Sequence, residues 1–237
     1  MPDLMPWEMG SLYGLAWLGI ARLAVATWRA NERARANREI VMRLWRWKDE
    51  LPEQRLACAG KHFGSGALLI APRLLAAAYS LTGRSGEVDD FRVDELETLE
   101  TEVAEIVLEN EPLTGPEIRQ LLGATDRKPV DRAVARLQRR LVLTNAGAAE
   151  QAQGWRAIRQ DILARRWQKS LTRLPKKDEA RRELALAVLA GTDKVSAADV
   201  AAALGWRRKQ AESVLSDLSD FGRAQTREED GLRLWSS

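Results

Sequence analysis

One pattern occurs twice in this 237-residue chain, about eighty residues apart: a capped amphipathic helix, a basic amphipathic helix, then a candidate β-hairpin. The first copy runs Leu113-Thr-Gly-Pro-Glu-Ile-Arg-Gln-Leu-Leu-Gly123 and then Pro129 to Leu141; the second runs Val195-Ser-Ala-Ala-Asp-Val-Ala-Ala-Ala-Leu-Gly205 and then Gln210 to Phe221. Thr114 with Glu117, and Ser196 with Asp199, have capping-box spacing: the hydroxyl accepts from the backbone N–H three residues on while the carboxylate reaches back. Pro116 suits a first helical turn, and Gly123 and Gly205 read as helix stops. In the next helix Val130, Val134 and Leu137 match Ala211, Leu215 and Leu218, each pair 81 residues apart, and Leu141 extends the apolar face of the first copy. Leu141-Val-Leu-Thr144 with Trp155-Arg-Ala-Ile158 predicts one hairpin. Arg223-Ala-Gln-Thr226 with Leu232-Arg-Leu-Trp235, around Glu229-Asp-Gly231, predicts the other, and Asp-Gly between alternating runs is a strong hairpin signal.

A further helical stretch precedes each copy, so the order is helix, helix, helix, hairpin, that of a winged helix-turn-helix. The expected fold is mainly α with small β-hairpin wings: tandem winged helices after an N-terminal helical region. The boundaries read as residues 1–83 for that region, 84–94 for a Gly/Ser/acidic linker, 95–160 for the first winged helix, 161–175 for a basic bridging helix and 176–237 for the second.

In such a motif the second helix can lie in the major groove while the first crosses the backbone. Its outer face therefore carries the functional signal. In copy one that face holds Arg127, Lys128, Arg132, Arg136, Arg139 and Arg140 against Asp126 and Asp131; in copy two it holds Arg207, Arg208 and Lys209, crowded at the helix start. The formal net charge of +3 understates this, because eleven acids face one arginine between Glu87 and Glu111. Eight basic residues meet two acids between Arg22 and Lys48, and ten meet three between Trp155 and Arg182. Clustered basic residues are the electrostatic footprint of a nucleic-acid binder.

One cysteine, Cys58, and one histidine, His62, exclude an internal disulfide, a cysteine-based zinc site and the usual histidine pairs. No phosphate-cradling glycine loop is present, Gly64-Ser-Gly66 being too short, and neither a metal nor a cofactor is expected. The apolar run at residues 10–26 is interrupted by Arg22 and is shorter than about 20 residues, so a helix without membrane insertion and a cytoplasmic protein are expected. Nothing specifies an oligomeric state.

Two further stretches carry a resemblance. Trp45-Arg-Trp-Lys-Asp-Glu-Leu-Pro-Glu-Gln-Arg-Leu56, Gly60-Lys-His-Phe63 and Leu68-Leu-Ile-Ala-Pro-Arg-Leu-Leu-Ala-Ala-Ala-Tyr-Ser-Leu-Thr-Gly83 resemble the bacterial AlkZ-related proteins, relatives of the AlkZ and YcaQ DNA glycosylases. So do Glu111-Pro-Leu-Thr-Gly-Pro-Glu-Ile-Arg119 and Leu137-Gln-Arg-Arg-Leu-Val-Leu-Thr-Asn-Ala-Gly147. The resemblance spans roughly residues 45–170. It implies DNA binding by winged helices around a basic channel, a link to DNA repair and, in active members, excision of alkylated or cross-linked bases. Those members use a Gln-x-Gln or Gln-x-Asp motif near the N-terminus, and residues 1–50 contain no match. The Gln151-Ala-Gln153 run falls in the expected first wing loop.

Asp49 and Glu50 are the remaining catalytic candidates, each a carboxylate able to activate water, beside Trp45, Trp47 and Lys48, which can stack on an unstacked base or hold a phosphate. The same tryptophans can simply pack, nine of them standing against two tyrosines and three phenylalanines. The function read from the sequence is duplex DNA binding, mainly through phosphates. Base excision and a protein-interaction module of the condensin-partner type are the alternatives.

Overall fold

The computed structural model describes residues 47, 49–63, 66, 68–151, 156–229 and 231–237, and its first regular elements after a helical turn at 49–53 are strands. Strand β1 (Cys58–Gly60) pairs antiparallel with β2 (Leu68–Ile70), Ala59 opposite Leu69. The region up to residue 83, expected to be helical, thus holds a strand pair among its described residues, and residues 1–46 of it lie outside them. Cys58, Ala59 and Gly60 are small and all buried, so they show no in-out alternation from which a strand could be read. Helix α1 (Pro72–Ser80) follows, its proline in the first turn and Leu74, Leu75, Ala77, Ala78 and Tyr79 buried.

The expected linker at 84–94 is packed. A 3-10 turn at Asp90–Val93 buries Phe91, and Asp90 accepts from the Tyr79 hydroxyl and the Gly86 N–H, both at 2.7 Å. Arg84, 5% exposed, lies 3.7 Å from the same carboxylate, 4.7 Å from the centre of the Tyr79 ring, and donates to the Arg140 carbonyl. Burial pushes the Tyr79 hydroxyl pKa upward. A short polar segment can thus be a joint when its buried charges, here Arg84 and Asp90, are paired with each other.

Two runs of the same element order come next. The first is α2 (Thr98–Glu109), β3 (Leu113–Thr114), α3 (Gly115–Leu121), α4 (Arg127–Arg139), β4 (Leu143–Ala149) and β5 (Ala157–Ile162). Then come a single turn, α5 (Leu163–Arg166), and a 3-10 turn at Gln168–Ser170. The second run is α6 (Lys177–Leu189), β6 (Val195–Ser196), α7 (Ala197–Leu204), α8 (Arg208–Asp220), β7 (Gln225–Glu229) and β8 (Leu232–Ser236). Both capping boxes form: Glu117 N–H donates to Thr114 Oγ1 at 3.5 Å and Asp199 N–H to Ser196 Oγ at 3.3 Å, each carboxylate accepting in return. The Thr114 N–H and hydroxyl hold the Glu117 carboxyl below its ordinary pKa. Gly123 and Gly205 stand at φ 63° and 67°, the left-handed conformation that ends a helix with least cost for glycine. A Cβ on Gly205 would also approach the Phe63 carbonyl oxygen to 2.8 Å.

Helices α4 and α8 are 13 residues each. Val130, Ala133 and Leu137 face inward from one, and Ala211, Val214, Leu215 and Leu218 from the other, while Val134 is half-buried. Leu141 is not part of the helix. It takes φ 57° just beyond α4, where copy two has Gly222 at 66°. The leucine accepts that conformation while only 4% exposed, its side chain filling the core.

Each run makes a small antiparallel sheet in which the first short strand pairs with the last: β3 with β5, and β6 with β8. The first sheet is widened by the N-terminal hairpin to the order β2-β1-β4-β5-β3, whereas the second keeps three strands, β6-β8-β7. One continuous core spans both runs, with α1 packed against α6.

The stretch at 161–175 forms no bridging helix. Asp161 and Ile162 end strand β5, and Arg165 and Arg166 after them turn toward the protein while Lys169 and Arg173 stay exposed. Arg165 donates to the carbonyls of Val107 and Leu108, both at 2.9 Å, and to Asp161 at 2.9 Å, closing the C-terminal end of α2 where a cation is favoured. Arg166 donates to the carbonyls of Pro52 and Glu53. These guanidiniums are committed to carbonyls 55 or more residues away in sequence, which no local pattern shows.

Candidate nucleic-acid interface

Helix α4 begins beside Pro129 and turns Val130, Ala133 and Leu137 into the core, which leaves positions 127, 128, 131, 132, 135, 136 and 139 on its outer side. Arg127, Lys128, Arg132 and Arg139 are exposed. Arg127 reaches Asp131 at 2.8 Å, and Arg132 Nε donates to the Lys128 carbonyl at 3.3 Å. Among the described residues no ion pair holds Lys128, Arg132 or Arg139. Arg136 and Arg140 behave differently. Arg136 pairs with Glu97 and with Glu100, the latter at 3.3 Å, and these contacts, Glu97 first, raise its pKa. Arg140 reaches Glu100 at 3.6 Å and donates to the Glu95 carbonyl at 2.7 Å. The acid block before and within α2 thus neutralises one edge of α4 and leaves the rest of its face basic.

In copy two, Arg207, Arg208 and Lys209 are exposed at the start of α8, and among the described residues none is in an ion pair. They stand at the positive end of a helix dipole, where an anion is favoured and a cation is not. Farther along, the outer residues are Glu212, Ser213, Ser216, Asp217 and Asp220. The two helices share length and core positions, but their outer faces differ in charge.

The candidates around residues 45–50 separate. Trp45 and Lys48 lie outside the described residues, Trp47 is half-buried, and Glu50 is exposed. Asp49 is 6% exposed, with Arg156 Nη1 at 3.9 Å. Arg156 in turn pairs with Glu150 at 2.9 Å and donates to the Ala148 carbonyl. Asp49 therefore sits in the corner between the 49–53 turn and the first hairpin. Glu53 lies against Gly147 so closely that a Cβ on that glycine, at φ 106°, would stand 2.9 Å from Glu53 Cβ. Of the Gln-x-Gln pair, Gln151 is exposed and Gln153 lies outside the described residues.

A buried polar cluster went unnoticed in sequence because its members are far apart in the chain. His62 Nδ1 donates to the Gln138 carbonyl at 2.9 Å, and its Nε2 lies 3.5 Å from Cys58 Sγ. Gln138 Nε2 donates to Asn145 Oδ1 at 2.8 Å and to Gln160 Oε1 at 2.7 Å, while its own Oε1 accepts from the Lys61 N–H at 3.0 Å. Cys58 Sγ is 3.3 Å from Thr144 Oγ1, which donates to the Ala59 carbonyl. Burial lowers the His62 pKa to about 4 and raises that of Cys58 to about 12, so imidazole and thiol both stay neutral near pH 7. The cluster works as a clamp joining β1 to α4 and β4, its groups satisfying one another.

Among the described residues no group of three or more His, Cys, Asp or Glu side chains could hold a metal ion. Among them too, no helix is long and apolar enough to cross a membrane.

No curated protein sequence matches this chain. Among solved structures it is similar to the DNA glycosylase AlkZ of Streptomyces sahachiroi, with a TM-score of 0.52 and 17% sequence identity. The match covers 87% of this chain and 56% of that one, so the chain spans little more than half the length of that enzyme; at this identity the likeness concerns the fold. A family model described as AlkZ related matches residues 26–205, well over half of the sequence. The chain belongs to the AlkZ-related family.

Proposed function

We propose that the chain binds duplex DNA with two winged helix-turn-helix units, mainly through phosphates, and that it serves DNA repair in the cytoplasm. The observation that carries this reading is the α4 face: Arg127, Lys128, Arg132 and Arg139 are exposed on one helix, with only Arg127 in an ion pair, a solvent-exposed one to Asp131, while the acids of α2 and its start are spent on Arg136 and Arg140. Four cations along a helix that is packed from behind match a row of phosphates or a groove wall. Arg207, Arg208 and Lys209 supply a second, smaller contact. The repair link rests on family membership and on the printed name of the similar enzyme.

Fluorescence anisotropy with a labelled duplex at 50 and 200 mM salt tests it. With four phosphates neutralised, the slope of log affinity against log salt is expected near −3.6, a loss of about 100-fold between the two conditions. No binding at low salt, or binding with no salt dependence, overturns the reading.

Base excision is the second reading, favoured by the AlkZ relationship. Asp49 beside the first hairpin is its one buried carboxylate candidate, and the family's glutamine motif is missing from residues 1–50. Abasic sites in alkylated DNA, formed by the chain and lost in Asp49→Asn, would support it; activity that Asp49→Asn leaves unchanged removes Asp49 from the chemistry.

A further inference from the structure

The two sheets match row by row until one runs out of strands. In copy one a single row crosses β3, β5 and β4 at Leu113, Gln160 and Asn145, and continues onto β1 at Ala59. In copy two the corresponding row crosses β6, β8 and β7 at Val195, Trp235 and Thr226, and among the described residues β7 is the edge of that sheet. The helix residue beside the row is Gln138 in α4 and Ser219 in α8, separated by the same 81 residues as Asn145 and Thr226.

What fills the corner differs. In copy one, Lys61 and His62 of the β1 segment hydrogen-bond Gln138 from above. In copy two the corner is, among the described residues, an open recess of about 290 Å³ lined by Ser216, Ser219, Thr226, Arg233 and Trp235 beside Asp220. Trp235 is 2% exposed, and its indole N–H finds no acceptor among the described residues. A buried donor without an acceptor costs stability.

We propose that this corner docks an extended segment of a partner polypeptide, which adds to the open edge of β7 as β1 adds to β4. Main-chain hydrogen bonds to the strand edge supply the affinity, and side chains entering the recess supply the choice of partner. The residue opposite Thr226 is small, since its counterpart in copy one is Ala59 between Cys58 and Gly60. Arg227, Glu228 and Glu229 along β7 discourage pairing with unselected strands. This proposal does not depend on DNA binding, which uses α4 and the start of α8.

The test titrates the 237-residue chain into a fluorescein-labelled peptide with the sequence of residues 56–62, serine replacing Cys58. Saturable binding is expected. Ser216→Trp, which fills the recess from a helix surface, should weaken it by at least about tenfold while far-UV circular dichroism and duplex affinity stay unchanged. The peptide with its Ala59 position changed to tryptophan should lose affinity similarly. Absence of saturable binding, binding indifferent to Ser216→Trp, or binding lost on Arg132→Glu overturns the proposal. So does a dimer of the unliganded chain that Ser216→Trp dissociates in sedimentation, which would assign the corner to a second copy.

Discussion

Copies one and two of the repeated unit share their caps, stops, core positions and strand registers, yet differ in what surrounds them. Copy one is braced: β1 covers the outer edge of its hairpin, the His62 clamp fills the corner beside α4, and acids on α2 pair with two of its arginines. Copy two has, among the described residues, three strands and an open corner, and an α8 whose outer face turns from basic to acidic along its length. The comparison teaches that a repeat can keep one fold while its surfaces diverge. Inward positions must agree to pack the same core, whereas outward positions answer only to what each surface meets.

Breaking the brace gives the largest expected effect. His62 is held neutral in the folded chain with a pKa near 4, against an ordinary 6.5 in the unfolded chain. Above pH 6.5 neither state binds this proton. As pH falls from 6.5 towards 4 only the unfolded chain takes it up, so folding stability drops by about 3 kcal/mol over that window. Urea unfolding at pH 7 and pH 4.5 measures this. In His62→Gln the pH dependence should be shallower, while carboxylate titrations persist; identical slopes would mean that the buried imidazole is not the sensor.

Next comes charge on the two helices. Arg132→Glu with Arg139→Glu should cost about 30-fold in duplex affinity at 100 mM salt, and Arg208→Glu with Lys209→Glu distinctly less. Equal losses would erase the proposed inequality between the copies, and a larger loss in copy two would invert it.

A smaller effect separates the two left-handed positions after α4 and α8. Leu141→Ala keeps the strained backbone and empties the core, for about 2 kcal/mol. Gly222→Ala meets no atom within 4 Å and costs only the left-handed backbone conformation, about 1 kcal/mol. Chemical denaturation ranks them, and a reversed order would show that Leu141 contributes little packing. Smallest are the caps: Thr114→Ala and Ser196→Ala should each cost about 1 kcal/mol, because both make the same two-way hydrogen bonds. A markedly larger loss at Thr114, which is buried, would extend the difference between the copies to their caps.

Much of this was legible from local pattern. Thr114 with Glu117, Ser196 with Asp199, the stop glycines and the apolar spacing of α4 and α8 all act within a few residues, where 3.6-residue periodicity and capping chemistry show directly. The hairpins were found, but the strands of the first begin and end elsewhere: β4 runs on to Ala149, and β5 to Ile162. Of the interface candidates, the exposed cations of α4 and the start of α8 were named from sequence. That Arg136 and Arg140 are engaged by α2, and that Asp49 faces Arg156, could not be, since those partners lie 36 or more residues away.

Local order therefore decided which segments became helices, where they start and stop, and that the unit occurs twice. Long-range packing decided which charges remained for a ligand. Arg165 and Arg166 read in sequence as part of a basic helix, yet carbonyls at the end of α2 and in the 49–53 turn claim both, because the last carbonyls of a helix lack partners within it. The addition of β1 to one sheet and not the other was settled in the same way: a three-residue strand of small side chains carries no periodic signal, and only the edge it pairs with makes it a strand.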